Sequence, residues 1–442
     1  MRGARRPKAF DRRRLVSMLI LVCGLSLLVT TALASSRRAR VGLVSRNSSG
    51  PAANDNSSVE GGGSSISADG RVVAFFSRAA NLPSGDGSIY QIYARDMRTG
   101  GTRLMSVDSK GDSALSDLFG PAISASGRFV VFYGTGAGLP GADGAHEQVW
   151  IHDRRTGATR LVSKGSGGGA GDGSSTYASV SADGRFVAFR SFSSNLPGGD
   201  GVNSFVYLRD MRRGRTILIS RTATGAPASG LVYGQSVSSD GRRVVFISRD
   251  ADLPGGDGST DHVYLRDLRR ARTTLLDRTS GGKVANGYST QPSISGNGRF
   301  VAFESVAKNL GASPLREQVF LRDLTRGKTT LVSRNSAGRK ANGNAFLGHP
   351  SASGRSVAFS ATATNLRQGD AKWPRIYVRD LTRGRTLLVS RRNDGAPVDG
   401  YFDYPSISAD GSWVSFYGGV FSGPSLGGNP AFTNAFRFGP IP

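Results

Sequence analysis

Apolar and polar positions along this 442-residue chain repeat as a block. Around Asp183 and Gly184, Ser179-Val-Ser181 leads into a turn, and Arg185-Phe-Val-Ala-Phe-Arg190 follows as an apolar run. A loop over 194–201 comes next, then Phe205-Val-Tyr-Leu-Arg-Asp210, a turn at Met211-Arg-Arg-Gly214, and Thr216-Ile-Leu-Ile-Ser220. Asp-Gly between short apolar runs predicts a tight hairpin, because glycine accepts the positive φ such turns need. The unit therefore reads as four antiparallel strands, with no helical period.

The turn recurs as Asp69-Gly70, Ser126-Gly127, Asp183-Gly184, Asp240-Gly241, Asn297-Gly298, Ser353-Gly354 and Asp410-Gly411, with glycines 57, 57, 57, 57, 56 and 57 residues apart. Such a period predicts stacked units that bury their faces against neighbours. Every copy has Val three residues after the glycine and Phe five after it, with a small or β-branched residue between, as in Val187-Ala-Phe189. A strand apolar on both sides is buried on both faces, as in a blade held between other blades. The third strands add Tyr93, Trp150, Tyr207, Tyr264, Phe320 and Tyr377, which read as core packing rather than a ligand platform. The single 56-residue step predicts a slightly irregular inner strand at Pro350-Ser-Ala-Ser-Gly354.

The last unit runs from a hairpin at 404–417 to a third strand near 434–438, without a fourth. Val41-Gly-Leu-Val-Ser-Arg46 stands alone ahead of the first unit and matches the fourth strands Thr330-Leu-Val-Ser-Arg334 and Leu387-Leu-Val-Ser-Arg391. The expected fold is all-β: a seven-bladed β-propeller over 35–442, closed by an N-terminal strand that completes the last blade and removes open sheet edges. A monomer is expected.

Residues 1–34 have a different composition. Arg2, Arg5, Arg6, Lys8 and Arg12 to Arg14 precede an apolar run over 15–33 that ends in Ala32-Leu-Ala34. This is the layout of a secretory signal peptide, or of an N-terminal membrane anchor through 15–33. The sole cysteine, Cys23, lies inside that run, so the chain beyond it has no thiol or disulfide. These features predict an exported bacterial protein that is secreted, periplasmic or envelope-associated.

The formal net charge is +25, of which residues 1–34 carry +6. Basic residues crowd the hairpins between third and fourth strands, as in Arg209-Asp-Met-Arg-Arg-Gly-Arg215 and Arg266-Asp-Leu-Arg-Arg-Ala-Arg272. Such a rim suits an anionic polymer or lipid headgroups, or is a solvated basic surface. Nucleic acid is not expected as a partner, since export removes the usual target.

The longer loops carry Asn195-Leu-Pro-Gly-Gly-Asp200 and relatives. Asp-rich loops invite calcium, which takes six to eight oxygens. With one or two carboxylates each, these read better as structural turns, and Asp257 with Asp261 is the least unfavourable calcium pair. No other cofactor is implied. The Arg-Asp pairs closing the third strands recur too regularly for one active site, and such an Asp can accept backbone hydrogen bonds from its turn. His146, His152, His262 and His349 are scattered along the chain without metal-ligand spacing. Glu is limited to Glu60, Glu147, Glu304 and Glu317.

The repeated Ser-x-Asp-Gly-Arg-x-Val-Ala-Phe, as at 181–189, and its close copy at 238–246 resemble the WD40-like β-propeller repeat of TolB-like proteins over roughly 39–438. That resemblance implies an exported propeller that binds a protein. In that family an α/β domain precedes a six-bladed propeller, whereas the repeats here number seven. Two functions follow as expectations. The first is a non-enzymatic scaffold for a protein or an anionic envelope component, favoured by serine-rich, uncharged inner strands such as Ser179-Val-Ser181. The second is a hydrolase or lyase acting on a sugar or lactone in the central channel, favoured if Asp, His or Arg side chains converge there.

Overall fold

A computed structural model describes residues 39–441, apart from 60–64, 166, 229–231, 314, 368–371 and 423–425. The expected signal or anchor at 1–34 lies outside the described residues. Seven four-stranded antiparallel sheets follow one another around a ring. In the third blade the strands are Ser175–Val180, Phe186–Ser191, Phe205–Asp210 and Arg215–Leu218, hydrogen-bonded in that order. The seventh blade takes Asp399–Ile407, Val414–Ser422 and Asn434–Gly439 from one end of the chain and Arg40–Leu43 from the other. Arg40 pairs with Gly439 and Leu43 with Phe436, so the ring is closed by the N-terminal strand.

The second strands form the packing layer. Val187, Ala188 and Phe189 have no exposed surface, and the same holds in each other blade for the equivalent Val and Phe. Each Phe stacks on the third-strand aromatic beside it. Phe189–Tyr207 centroids lie 5.8 Å apart, Phe132–Trp150 6.3 Å and Phe416–Phe436 5.6 Å, with rings tilted by 22° to 29°. The periodic aromatics are thus core.

The short hairpins lie on one face of the ring and the long connections on the other. On the hairpin face, the Asp that ends a third strand does two jobs. Asp210 Oδ1 accepts from the backbone N–H of Arg212 and Arg213, and both carboxylate oxygens accept from Arg185, the residue after the turn glycine. Its neighbour Arg209 turns the other way and donates through Nη1 to Thr216 Oγ1 and to the Lys164 carbonyl in the connection from the preceding blade. Much of the basic rim is therefore neutralised or stapled between blades.

The expected irregularity at Pro350 is absent. The inner strand Ala345–Pro350 has the same register as Ser289–Ile294 in the blade before it, with Phe346 opposite Ser360 and His349 opposite Ala358. The missing residue lies earlier, between strands Phe300–Ser305 and Gln318–Asp323, where a 3-10 turn at Lys308–Leu310 stands in for the Leu-Pro-Gly-Gly loop. A loop absorbs a deletion that a strand could take only by turning its side chains to the opposite face.

Candidate functional site

The inner strands enclose a central cavity of about 580 Å3. Its floor near the hairpin face is a ring of small residues, one per blade: Ala68, Ala125, Ala182, Ser239, Gly296, Ala352 and Ala409. Their peptides bond from blade to blade. Ala182 N–H donates to Ser239, Ser239 to Gly296, Ala352 to Ala409 and Ala409 to Ala68, at 2.9–3.0 Å. Small side chains permit that approach.

Above the floor, only part of the serine-rich reading survives. Ser181 and its equivalents are fully buried and serve the turn, donating to Asp183 at 2.8 Å and accepting from Phe186 N–H at 2.9 Å. The channel instead meets Ser179, Ser236, Ser293 and Ser406, and between them apolar Val180, Val237, Ile294 and Ile407.

The upper wall comes from strand segments that the sequence reading left unassigned. Each inner strand from the second blade onward carries a bulge whose central residue has a left-handed backbone: Gly120, Tyr177, Gly234, Gln291, Leu347 and Tyr404, with φ between 48° and 60°. Four of these are not glycine, and left-handed backbone costs an L-residue about 1–2 kcal/mol. Strain of this kind gathers at functional sites, and all six residues line the cavity. Phe119, Tyr133 and Tyr177 form a continuous aromatic arc, with centroids 6.3 and 5.3 Å apart.

Arg190 ends that arc. It sits six residues after its turn glycine, where the other blades have Phe76, Tyr133, Ile247, Glu304, Ser360 and Tyr417. Its guanidinium stacks over Phe192 at 4.7 Å and faces the cavity. Burial pulls its pKa down against the opposing pull of Tyr177 and Tyr233. Its Nε has no hydrogen-bond acceptor, and no carboxylate pairs with it, among the described residues. A half-buried cation without a carboxylate partner among the described residues is costly and is poised to receive an anion.

Across the channel, two buried acids stand behind the wall. Glu304 accepts from the N–H of the bulge residue Leu347, and burial pushes its pKa up to about 8, helped by Glu317 and Asp403. Asp403 is likewise raised by burial, while accepting from Ser360 Oγ at 2.6 Å, Tyr401 Oη at 2.8 Å and Tyr404 N–H at 2.9 Å. At the bulges of the last two blades, the N–H groups of Leu347 and Tyr404 find their acceptors in these acids. Sequence reasoning missed Arg190, Glu304 and Asp403; the signal was there, since all three occupy registers that vary from blade to blade.

His349 takes the place of the channel serines in the sixth blade. It is 3.2 Å from Ser293 Oγ, and burial lowers its pKa to about 4, leaving a neutral imidazole. The other histidines lie elsewhere. His146 bonds Asp143 on an exposed loop, His152 is buried against Thr159, and His262 is buried against Asp277.

Asp257 and Asp261 have separate partners. Asp257 caps its own turn through Ser259 and Thr260 N–H and Thr260 Oγ1, at 2.7–2.8 Å. Asp261 is buried, and its two oxygens take Arg249 Nε and Nη2 at 2.8 and 2.9 Å. The turn residues Asp69, Asp183, Asp240 and Asp410 each accept from the serine that precedes them by two residues, and Gly70, Gly184, Gly241 and Gly411 have φ of 69–81°. Among the described residues no three His, Cys, Asp or Glu side chains converge as a metal site requires, and none of their helices is long and apolar enough to cross a membrane.

No family model matches the chain, and no curated protein does. Solved structures share its fold. An oligogalacturonate lyase in complex with manganese aligns over 91% of this chain and 97% of its own, with 11% identity and a TM-score of 0.54. A second oligogalacturonate lyase, from Vibrio parahaemolyticus, aligns over 90% and 97%, with 10% identity and a TM-score of 0.55. TolB from Acinetobacter baumannii aligns over 72% of this chain and 63% of its own, with 14% identity and a TM-score of 0.43. At these identities the likeness is one of fold. Among the described residues His349 is the one imidazole lining the cavity.

Proposed function

We propose that this protein is an exported propeller that binds an acidic saccharide in its central channel. The observation that carries the reading is Arg190, a cation without a carboxylate partner among the described residues, beside the aromatic arc of Phe119, Tyr133 and Tyr177. A sugar carboxylate would pair with the guanidinium fork, ring faces would lie on Tyr133 and Tyr177, and serine and glutamine side chains would meet the hydroxyls. The lyases that share the fold suggest oligogalacturonate as the first ligand to try.

The test is calorimetric titration with trigalacturonate and with the neutral galactose trimer. Binding of the acid alone, weakened about tenfold or more in Arg190→Gln, supports the reading. Equal binding of both sugars, or an unaffected variant, overturns it.

A second reading, turnover in the same channel, draws on His349, whose neutral imidazole can accept a proton beside a bound sugar. Elimination would take the proton from the carbon beside the carboxylate and break the glycosidic carbon–oxygen bond beyond it, the departing sugar oxygen taking up a proton from water, and would leave a carbon–carbon double bond conjugated to the carboxylate. Following ultraviolet absorbance after the titration separates the two readings: a rise that His349→Gln abolishes marks an enzyme, and a flat trace marks a binding protein.

A further inference from the structure

In four blades the arginine after the turn glycine pairs with the aspartate that closes the third strand: Arg71–Asp96, Arg128–Asp153, Arg185–Asp210 and Arg299–Asp323. Among the described residues the sixth blade gives Asp380 to Arg383 in place of Arg355, and the seventh has Ser412 in place of the arginine; the fourth blade departs in another way. Its second strand opens with Arg243, where the other blades have Val72, Phe129, Phe186, Phe300, Ser356 and Trp413. Arg243 Nε lies 3.4 Å from Asp267 Oδ2, and its Nη1 donates to the Gly298 carbonyl at 2.7 Å. Asp267 also takes Arg270 Nη1 at 2.9 Å.

Arg242, the repeat equivalent of Arg185, makes no pair with Asp267, which Arg243 and Arg270 hold instead. Its nearest anion is Asp240 at 3.9 Å, and the two side chains are 63% and 58% exposed. Arg269 is exposed and makes no ion pair among the described residues. These groups line a cavity of about 520 Å3 on the hairpin face, walled on its far side by Asn297 and Gly298 of the next blade. Four arginines against two aspartates leave the cavity with an excess of positive charge.

We infer that this cavity binds a phosphate group through Arg242 and Arg269, with Arg243 holding the aspartate away from them. Guanidinium forks match phosphate oxygens bidentately, and a tetrahedral dianion can engage two forks at once. The site is independent of the channel and faces the opposite side from the long loops. The phosphate is either a free ion or one unit of a phosphodiester chain, and the probes below separate these.

The test measures binding of inorganic phosphate and of poly(glycerol phosphate) to the full chain by calorimetry. Arg243→Phe restores the residue of the second, third and fifth blades and returns Asp267 to Arg242. Affinity should fall about tenfold. Arg212→Gln in the third blade removes the same charge where Arg185 already holds Asp210, and affinity should stay as in the wild type. Binding of both probes assigns the site to a single phosphate, and binding of the polymer alone assigns it to a chain. No binding of either probe, an unaffected Arg243→Phe, or equal losses in both variants would each overturn the inference.

Discussion

Arg185 and Asp210 join the two short hairpins of their blade through two parallel hydrogen bonds, Nε to Oδ1 at 3.0 Å and Nη2 to Oδ2 at 2.8 Å. The pair recurs around the hairpin face. The bond from its arginine holds each carboxyl below its ordinary range, to about 2 for Asp153 and Asp323. A depressed folded pKa gives stability that is fully present above the unfolded value of about 3.9 and is lost as pH falls through the folded one. Thermal stability should therefore drop between about pH 4 and pH 2. The stability gap between wild type and Arg128→Gln, which frees Asp153, should close over the same window; a gap that persists at the acid end would mean the pair acts by packing, not charge.

Core stacking should be worth more than any of these rim pairs. Phe189→Ala opens a hole in a layer with no exposure and should cost about 3–5 kcal/mol in a denaturant titration. Tyr207→Phe should do the opposite. The Tyr207 hydroxyl is buried without a hydrogen-bond partner, and the fifth blade has Phe320 at the same place. Removing it should leave stability unchanged or raise it by about 1 kcal/mol. A clear loss would show that the hydroxyl has a partner, such as a bound water.

Why the core was legible and the channel was not follows from the same comparison of copies. Val187 and Phe189 are dictated by neighbouring blades, so every copy repeats them and the pattern stands out. Arg190 and Glu304 face a cavity that all seven blades share, and one residue there need not resemble its equivalents. Periodicity therefore reveals packing and averages away function. The bulge at Tyr177 was hidden for another reason: left-handed backbone at a tyrosine has no composition signal, unlike the Gly120 and Gly234 that adopt it freely. Arg243 is visible as an extra arginine, but its consequence depends on which guanidinium reaches Asp267.

The buried pair His262–Asp277 replaces a Gln–Ser pair seen in other blades, such as Gln148–Ser163 at 2.6 Å. Nδ1 lies 2.7 Å from Oδ2. Burial lowers the imidazole pKa, but the hydrogen bond and charge of Asp277, with Asp257 and Asp261, outweigh it and hold it above its ordinary value. Burial raises Asp277 as well. A raised histidine gives stability that is full below its unfolded pKa of about 6.5 and is lost as pH rises through the folded one. Stability should decline on the alkaline side of about pH 6.5 and do so less in the double variant His262→Gln/Asp277→Ser. Asp277→Ala alone should cost about 3–5 kcal/mol, by stranding the imidazole. A double variant as unstable as the single one would sink this account.

Backbone strain at the channel bulges should be separable from ligand affinity. Gln291 has φ of 49°, so Gln291→Gly should raise stability by about 1 kcal/mol in denaturant titrations. Gly234→Ala should lower it, since the added Cβ would sit 2.6 Å from Ile247 Cδ1 at a φ of 60°. If Gln291→Gly destabilises, the side chain contributes more than its backbone costs.

The closing strand also sets how the ring responds to force. Arg40 lies opposite Gly439 and Leu43 opposite Phe436, so the chain enters and leaves the seventh blade at the same edge. Tension between those two points would load the hydrogen bonds one rung at a time, as in a zipper, and the ring would part at low force. Tension applied at one end and at a distant loop face would instead pass through the floor peptides that bond blade to blade. A propeller pulled from both ends opens readily; held by one end, it is a stiff disc.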